Sequence, residues 1–102
     1  MSDIVIVFTN HFIEKAVLKG VFVECGFENG KKVTEIALKG LGVIVPDKCG
    51  FKCIFEVMPG KLVTVPFVYK NDFIIAKTIY PSQKPDKEEY YKKFKIKETI
   101  IK

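Results

Sequence analysis

The sequence predicts a single α+β domain over residues 1–102, in the order β-α-α-β-β-β-β-α. The expected architecture is an antiparallel meander with short helices packed on one face. Three observations carry that expectation. The chain opens on a continuous β-branched run, Ile4–Phe8. Two amphipathic segments follow, each closed by Leu-Lys-Gly. From Leu41 onward the period changes to strand-like runs separated by turn residues.

Taken in order, Ile4–Phe8 ("IVIVF") reads as a strand buried on both faces or placed centrally in a sheet. Thr9 or Asn10 is placed to cap a helix, and Phe12, Ile13, Ala16 and Val17 fall on one side of it. Gly20 after Lys19 stops that helix. "VFVECGFENG" extends a strand or forms a short turn ahead of an Asn29-Gly30 turn signal. "KKVTEIALKG" predicts a second short helix, stopped at Gly40 by the same device. "LGVIV", "FKCIFEV", "KLVTVPFVY" and "DFIIAKTIY" then predict four strands, separated by Pro46–Gly50, Pro59-Gly60 and Asn71-Asp72. Pro66 argues for an edge or a bulge in the third of these. Asp86 with Glu89 reads as a capping box for a last helix, along which Tyr90 and Phe94 stack. "KIKETIIK" is a final strand or a frayed extension of it.

At this length, with 48% hydrophobic residues and 9 Phe, a core forms without metal or disulfide support. No run approaches the roughly 20 apolar residues that span a bilayer. The N-terminus lacks the basic flank of a signal peptide, so a soluble, cytoplasmic protein without membrane partners is expected. Cys25, Cys49 and Cys53 have no zinc spacing, and one His exists in the chain, so no metal site and no cofactor are expected. Free thiols, a Cys49–Cys53 disulfide and a dimer-bridging Cys25 all remain open. The net charge is +5, and every basic residue is Lys. Residues 84–102 form a Lys-rich C-terminal helix and tail, with seven Lys against four acids. Such a segment attracts phosphate backbones or an acidic partner, or is a solvated terminus.

Candidate chemistry is sparse. His11 is the side chain that titrates near neutral pH, and it shares a helix side with Lys15. Lys77, Tyr80, Ser82, Gln83 and Lys84 cluster at the end of the last strand. Lys77 is either a lysine on the core rim or one whose stem packs along the sheet. Tyr90, Tyr91, Lys92 and Lys93 interleave rings with cations, which fits RNA contact and equally fits an amphipathic helix. No phosphate-binding Gly loop, Ser/His/Asp order or carboxylate pair is visible.

"FTNHFIEKAVLKGV", followed by a second short helix and by "GKLVTVPFVYKNDFIIAKTIYPS", resembles small domains similar in layout to the RelE/BrnT superfamily of type II toxin ribonucleases. The positions that carry the resemblance are Thr9, His11, Lys19 and Gly20 at the front, and Thr78, Tyr80 and Pro81 at the end. It covers about residues 4–94. It implies RNA as substrate or ligand and an antitoxin protein as partner. Under that expectation His11, Lys77, Tyr80 and Lys84 are the catalytic candidates for metal-independent endoribonuclease chemistry. His11 serves as base or acid, the two Lys steady phosphate charge, and Tyr80 orients or donates. Lys15, Tyr90, Tyr91, Lys92 and Lys93 are the RNA-binding candidates. The chain departs from the superfamily in having no Arg, on which those toxins rely, and in its longer "VFVECGFENG" segment. The alternative is a non-enzymatic module for protein interaction or homodimerisation.

Overall fold

The computed structural model describes residues 4–101, with side chains through Lys93. The element order is β1 (Val5–Phe8), α1 (Asn10–Leu18), α2 (Phe27–Ile36), a π-helical turn (Ala37–Leu41), β2 (Val43–Asp47), β3 (Gly50–Met58), β4 (Lys61–Lys70), β5 (Phe73–Ala76), β6 (Tyr80–Pro81) and α3 (Lys84–Ile101). The α+β class is as expected. The sheet is mixed rather than wholly antiparallel. Its order is β1-β5-β4-β3-β2, with β6 also on β4, and β1 runs parallel to β5. β1 is therefore an edge strand, not a central one, and none of its four residues is buried.

Local chemistry explains the helix ends. The Thr9 hydroxyl accepts from the Phe12 amide and so caps α1. Gly20 and Gly40 take positive φ values of 59° and 124° and end the two amphipathic segments. The expected Asn29-Gly30 turn is absent, because both residues lie inside α2. Gly30 is there for space: a Cβ would collide with the Phe22 ring, which lies against the helix at this point. "VFVECG" is a turn rather than a strand.

One sheet face carries Cys53, Phe55, Val57, Val63, Val65, Phe67, Ile74 and Ala76; α1 packs on it through Phe12 and Ala16, the π-helical turn through Ala37 and Leu38, and α2 through the partly buried Phe27 and Val33. Each Val, Leu, Ile or Phe among them, fully buried, contributes about 1.5–3 kcal/mol. The expectation that all helices share one face is overturned. Lys52 and Thr64, which alternate with those core residues, meet Asp86 of α3, so α3 lies across the other face. Helices cover both faces because the alternate residues Ile54, Leu62 and Pro66 are also buried. "KIKETIIK" continues α3 to Ile101 instead of forming a strand. The Phe94 side chain, and with it the expected Tyr90–Phe94 stack, lies outside the described residues.

Pro66 occupies a central strand, and the ladder breaks opposite it. The single predicted strand "DFIIAKTIY" splits into β5 and β6. Phe67 pairs with Ala76, but Thr64 pairs with Tyr80, so three steps on β4 match four on the other side. Pro66 has no N–H to give, and its carbonyl accepts from the Lys77 amide at 2.9 Å. The extra residue is a bulge. It reverses the alternation: Ile79 turns into the core, and Tyr80 falls beside Thr64.

Candidate functional site: a lysine pocket between helix 1 and the bulge

The bulge forms one wall of a pocket of about 280 Å³, and α1 forms the other. Lys15 enters from α1 and Lys19 from the cap at its C-terminal end; Thr78, Ile79, Tyr80, Pro81 and Gln83 enter from the segment around β6. Two contacts seat α1 there. The Thr9 hydroxyl donates to the Lys77 carbonyl at 2.9 Å, and the Thr9 amide donates to the Ala76 carbonyl at 3.3 Å. His11, Lys15 and Lys19 then recur at four-residue steps, which places them along one side of the helix. No acid lines the pocket, and among the described residues neither lysine is in an ion pair. Two lysines, Thr78 and Gln83 thus line one concavity, a set of side chains whose chemistry suits an anion.

On the other face lies a second polar assembly. Lys52 Nζ sits 2.6 Å from Asp86 Oδ1, and Asp86 is 4% exposed. Thr64 Oγ1 donates to Asp86 Oδ2 at 3.0 Å and shares a 2.8 Å hydrogen bond with Ser82. The hydrogen bond to Asp86 holds the Lys52 ammonium above its ordinary value, against burial, which acts the other way. Burial, with the Asp86 charge behind it, pushes the Tyr80 phenol up, so it stays protonated and can donate at neutral pH. This assembly is internally satisfied: among the described residues no buried polar side chain lacks a partner. It fastens the start of α3 to the sheet and stands behind Tyr80.

The candidates chosen from sequence are thus divided. Lys15 and Tyr80 line the pocket. His11 is exposed, two residues past the Thr9 junction, and Lys77 is half-buried at the bulge itself. Neither lines the pocket, and Lys84 is exposed at the start of α3. Tyr90, Tyr91, Lys92 and Lys93 lie along α3. The Tyr90 hydroxyl contacts Glu56 at 3.5 Å, Lys93 donates to the Ile44 carbonyl at 3.2 Å, and the cleft beside Lys93 also holds Asp86, Glu88 and Glu89. That surface is mixed in charge. Lys19 belongs with Lys15, and its i, i+4 spacing was the signal for it. Lys52, Thr64 and Asp86 had no local signal, being brought together across 34 and 22 residues.

The three cysteines are free: Cys49 exposed, Cys25 half-buried and Cys53 buried. Among the described residues no group of His, Cys, Asp and Glu is placed to hold a metal, and no helix is long and apolar enough to cross a membrane. Comparison with known proteins brings no match to a family model, to a curated protein or to a solved structure.

Proposed function

We propose that the chain is an RNA-binding relative of the RelE/BrnT-like ribonuclease toxins, holding a backbone phosphate between Lys15 and Lys19. One observation carries the reading. Lys19, Thr78, Tyr80 and Pro81, four of the positions behind the resemblance, come from the two ends of the domain and line one acid-free pocket together with Lys15. Lysine meets a phosphate oxygen as a point charge, which needs no bidentate fork. Thr78 and Gln83 supply neutral donors around it. Gln83 and Thr78 can also accept, so they suit a ribose 2′-hydroxyl beside the phosphate.

Cleavage is the stronger form of the same reading. It requires a base for the 2′-hydroxyl, and His11 stands on the helix side that carries Lys15 and Lys19. Each acid–base contribution is worth roughly 10²–10⁴ in rate. An antitoxin protein as partner belongs with that stronger form.

The test is fluorescence anisotropy of a labelled single-stranded RNA across a salt series. Wild type should bind, and Lys15→Gln with Lys19→Gln should weaken binding at least about tenfold at low salt. It should also flatten the salt dependence by about 0.7 log units per log unit, the value for one neutralised phosphate on a single strand. Unchanged affinity in the double variant would remove the pocket from the reading. Gel analysis of the same RNA with wild type and His11→Ala separates cleavage from binding. Products from wild type alone assign His11, and equal products from both release it.

A further inference from the structure

The two edges of the sheet are not alike. β2 is blunted: Pro46 and Asp47 end it, and Lys93 of α3 donates to its Ile44 carbonyl. β1 has no such device. Its sequence is VIVF, without charge or proline, and among the described strands nothing pairs with its outer side. The register shows which main-chain groups are open. Phe8 lies opposite Ala76, and the Thr9 amide reaches the Ala76 carbonyl, so Val5, Val7 and Thr9 are the residues bonded to β5. The main-chain groups of Ile6 and Phe8 point outward. On the face away from α1, Val5 and Val7 are 52% and 41% exposed, beside Phe73 at 42%.

We infer that β1 is a docking edge for a second copy of this chain, pairing antiparallel with its own β1 about a two-fold axis. The occupant follows from the edges. An open row of amides and carbonyls accepts a strand, and β1 is the unprotected strand edge that another copy brings. Because the opposite edge is blunted, the contact is isologous and closes as a dimer instead of propagating into a filament. A neutral strand pairs with itself without setting like charges opposite one another. Val5 and Val7 of the two copies would then lie side by side, widening the apolar strip that each leaves exposed. This inference stands apart from the RNA reading, since the lysine pocket lies on α1 and β6.

Sedimentation equilibrium over a concentration series tests it. Wild type should approach twice the 11.6 kDa chain mass at micromolar concentration. Val5→Lys with Val7→Lys sets four ammonium groups together across the pair but leaves them solvated in the monomer. Ile6→Pro removes an outward amide without touching the ladder to β5. Both variants should sediment as monomers while keeping the wild-type circular dichroism spectrum. A wild type that stays monomeric throughout overturns the inference, as does a dimer that survives in whichever variant remains folded.

Discussion

Lys52 and Lys15 carry the same ammonium group into opposite surroundings. Lys52 reaches across the sheet to a carboxylate that is 4% exposed, and its charge is matched inside the fold. Lys15 ends in a pocket with Lys19 and no acid, so its charge faces outward unmatched. A charge matched within the protein holds elements together, whereas one left unmatched in a concavity is available to a ligand. The lysine count alone cannot separate these roles, because both look the same in composition.

The largest expected effect breaks the matched side. Asp86→Ala leaves Lys52 without its partner and removes one of the two hydrogen bonds of the Thr64 hydroxyl, and should cost about 3 kcal/mol in urea unfolding. Lys52→Met combined with Asp86→Leu should cost much less, since removing both charges leaves neither uncompensated. An equally large loss in the double variant would mean that packing, not charge matching, fixes α3. Next in size, Thr9→Ala removes both the α1 cap and the bond to Lys77. A loss of about 1–2 kcal/mol is expected by thermal or urea unfolding. RNA affinity should fall with it, because Thr9 seats the helix that carries Lys15.

Alkaline pH sharpens the contrast further. The Lys52 contribution is complete below its ordinary value of 10.5 and is lost as pH climbs through the raised value. Tyr80, raised from 10.0 by burial first, and Cys53, pushed from 9.0 up to about 12 by burial, act in the same direction. Each holds its proton more tightly when folded, so stability should fall as pH rises beyond about 9. The fall above 10.5 should be shallower in Asp86→Ala, read from urea midpoints across the alkaline range. The smallest effect belongs to the unmatched side. Lys15→Gln with Lys19→Gln should change stability by less than about 0.5 kcal/mol while reducing RNA affinity. A destabilisation of the Asp86→Ala size would show that these lysines, too, serve the fold.

How much could be read in advance varied with distance along the chain. The Thr9 cap and the stops at Gly20 and Gly40 were legible, because each depends on a few neighbouring residues. Asn29-Gly30 misled for the opposite reason: its role is set by the Phe22 ring lying against Gly30, a packing demand that outweighs turn propensity. β1 misled as well. Its β-branched run marks a strand but carries no information on whether a neighbour lies on each side. Asp86 resembled a capping residue, yet its carboxylate turns to Lys52 and Thr64.

The sequence by itself determined the α+β class, the Thr9 cap, the stops at Gly20 and Gly40, and the turns that separate β2 to β5. All of these follow from backbone preferences and short-range periodicity. Only the tertiary structure decided where Tyr80 would stand. The missing N–H of Pro66 matters through the strand opposite it, and the extra residue there reverses the alternation that local pattern assumes. The same holds for the pocket. Lys15 and Tyr80 are 65 positions apart, and they meet because β1 pairs in parallel with β5 and carries α1 over the sheet. Pairing of that kind is a property of two distant segments at once, and neither segment encodes it alone.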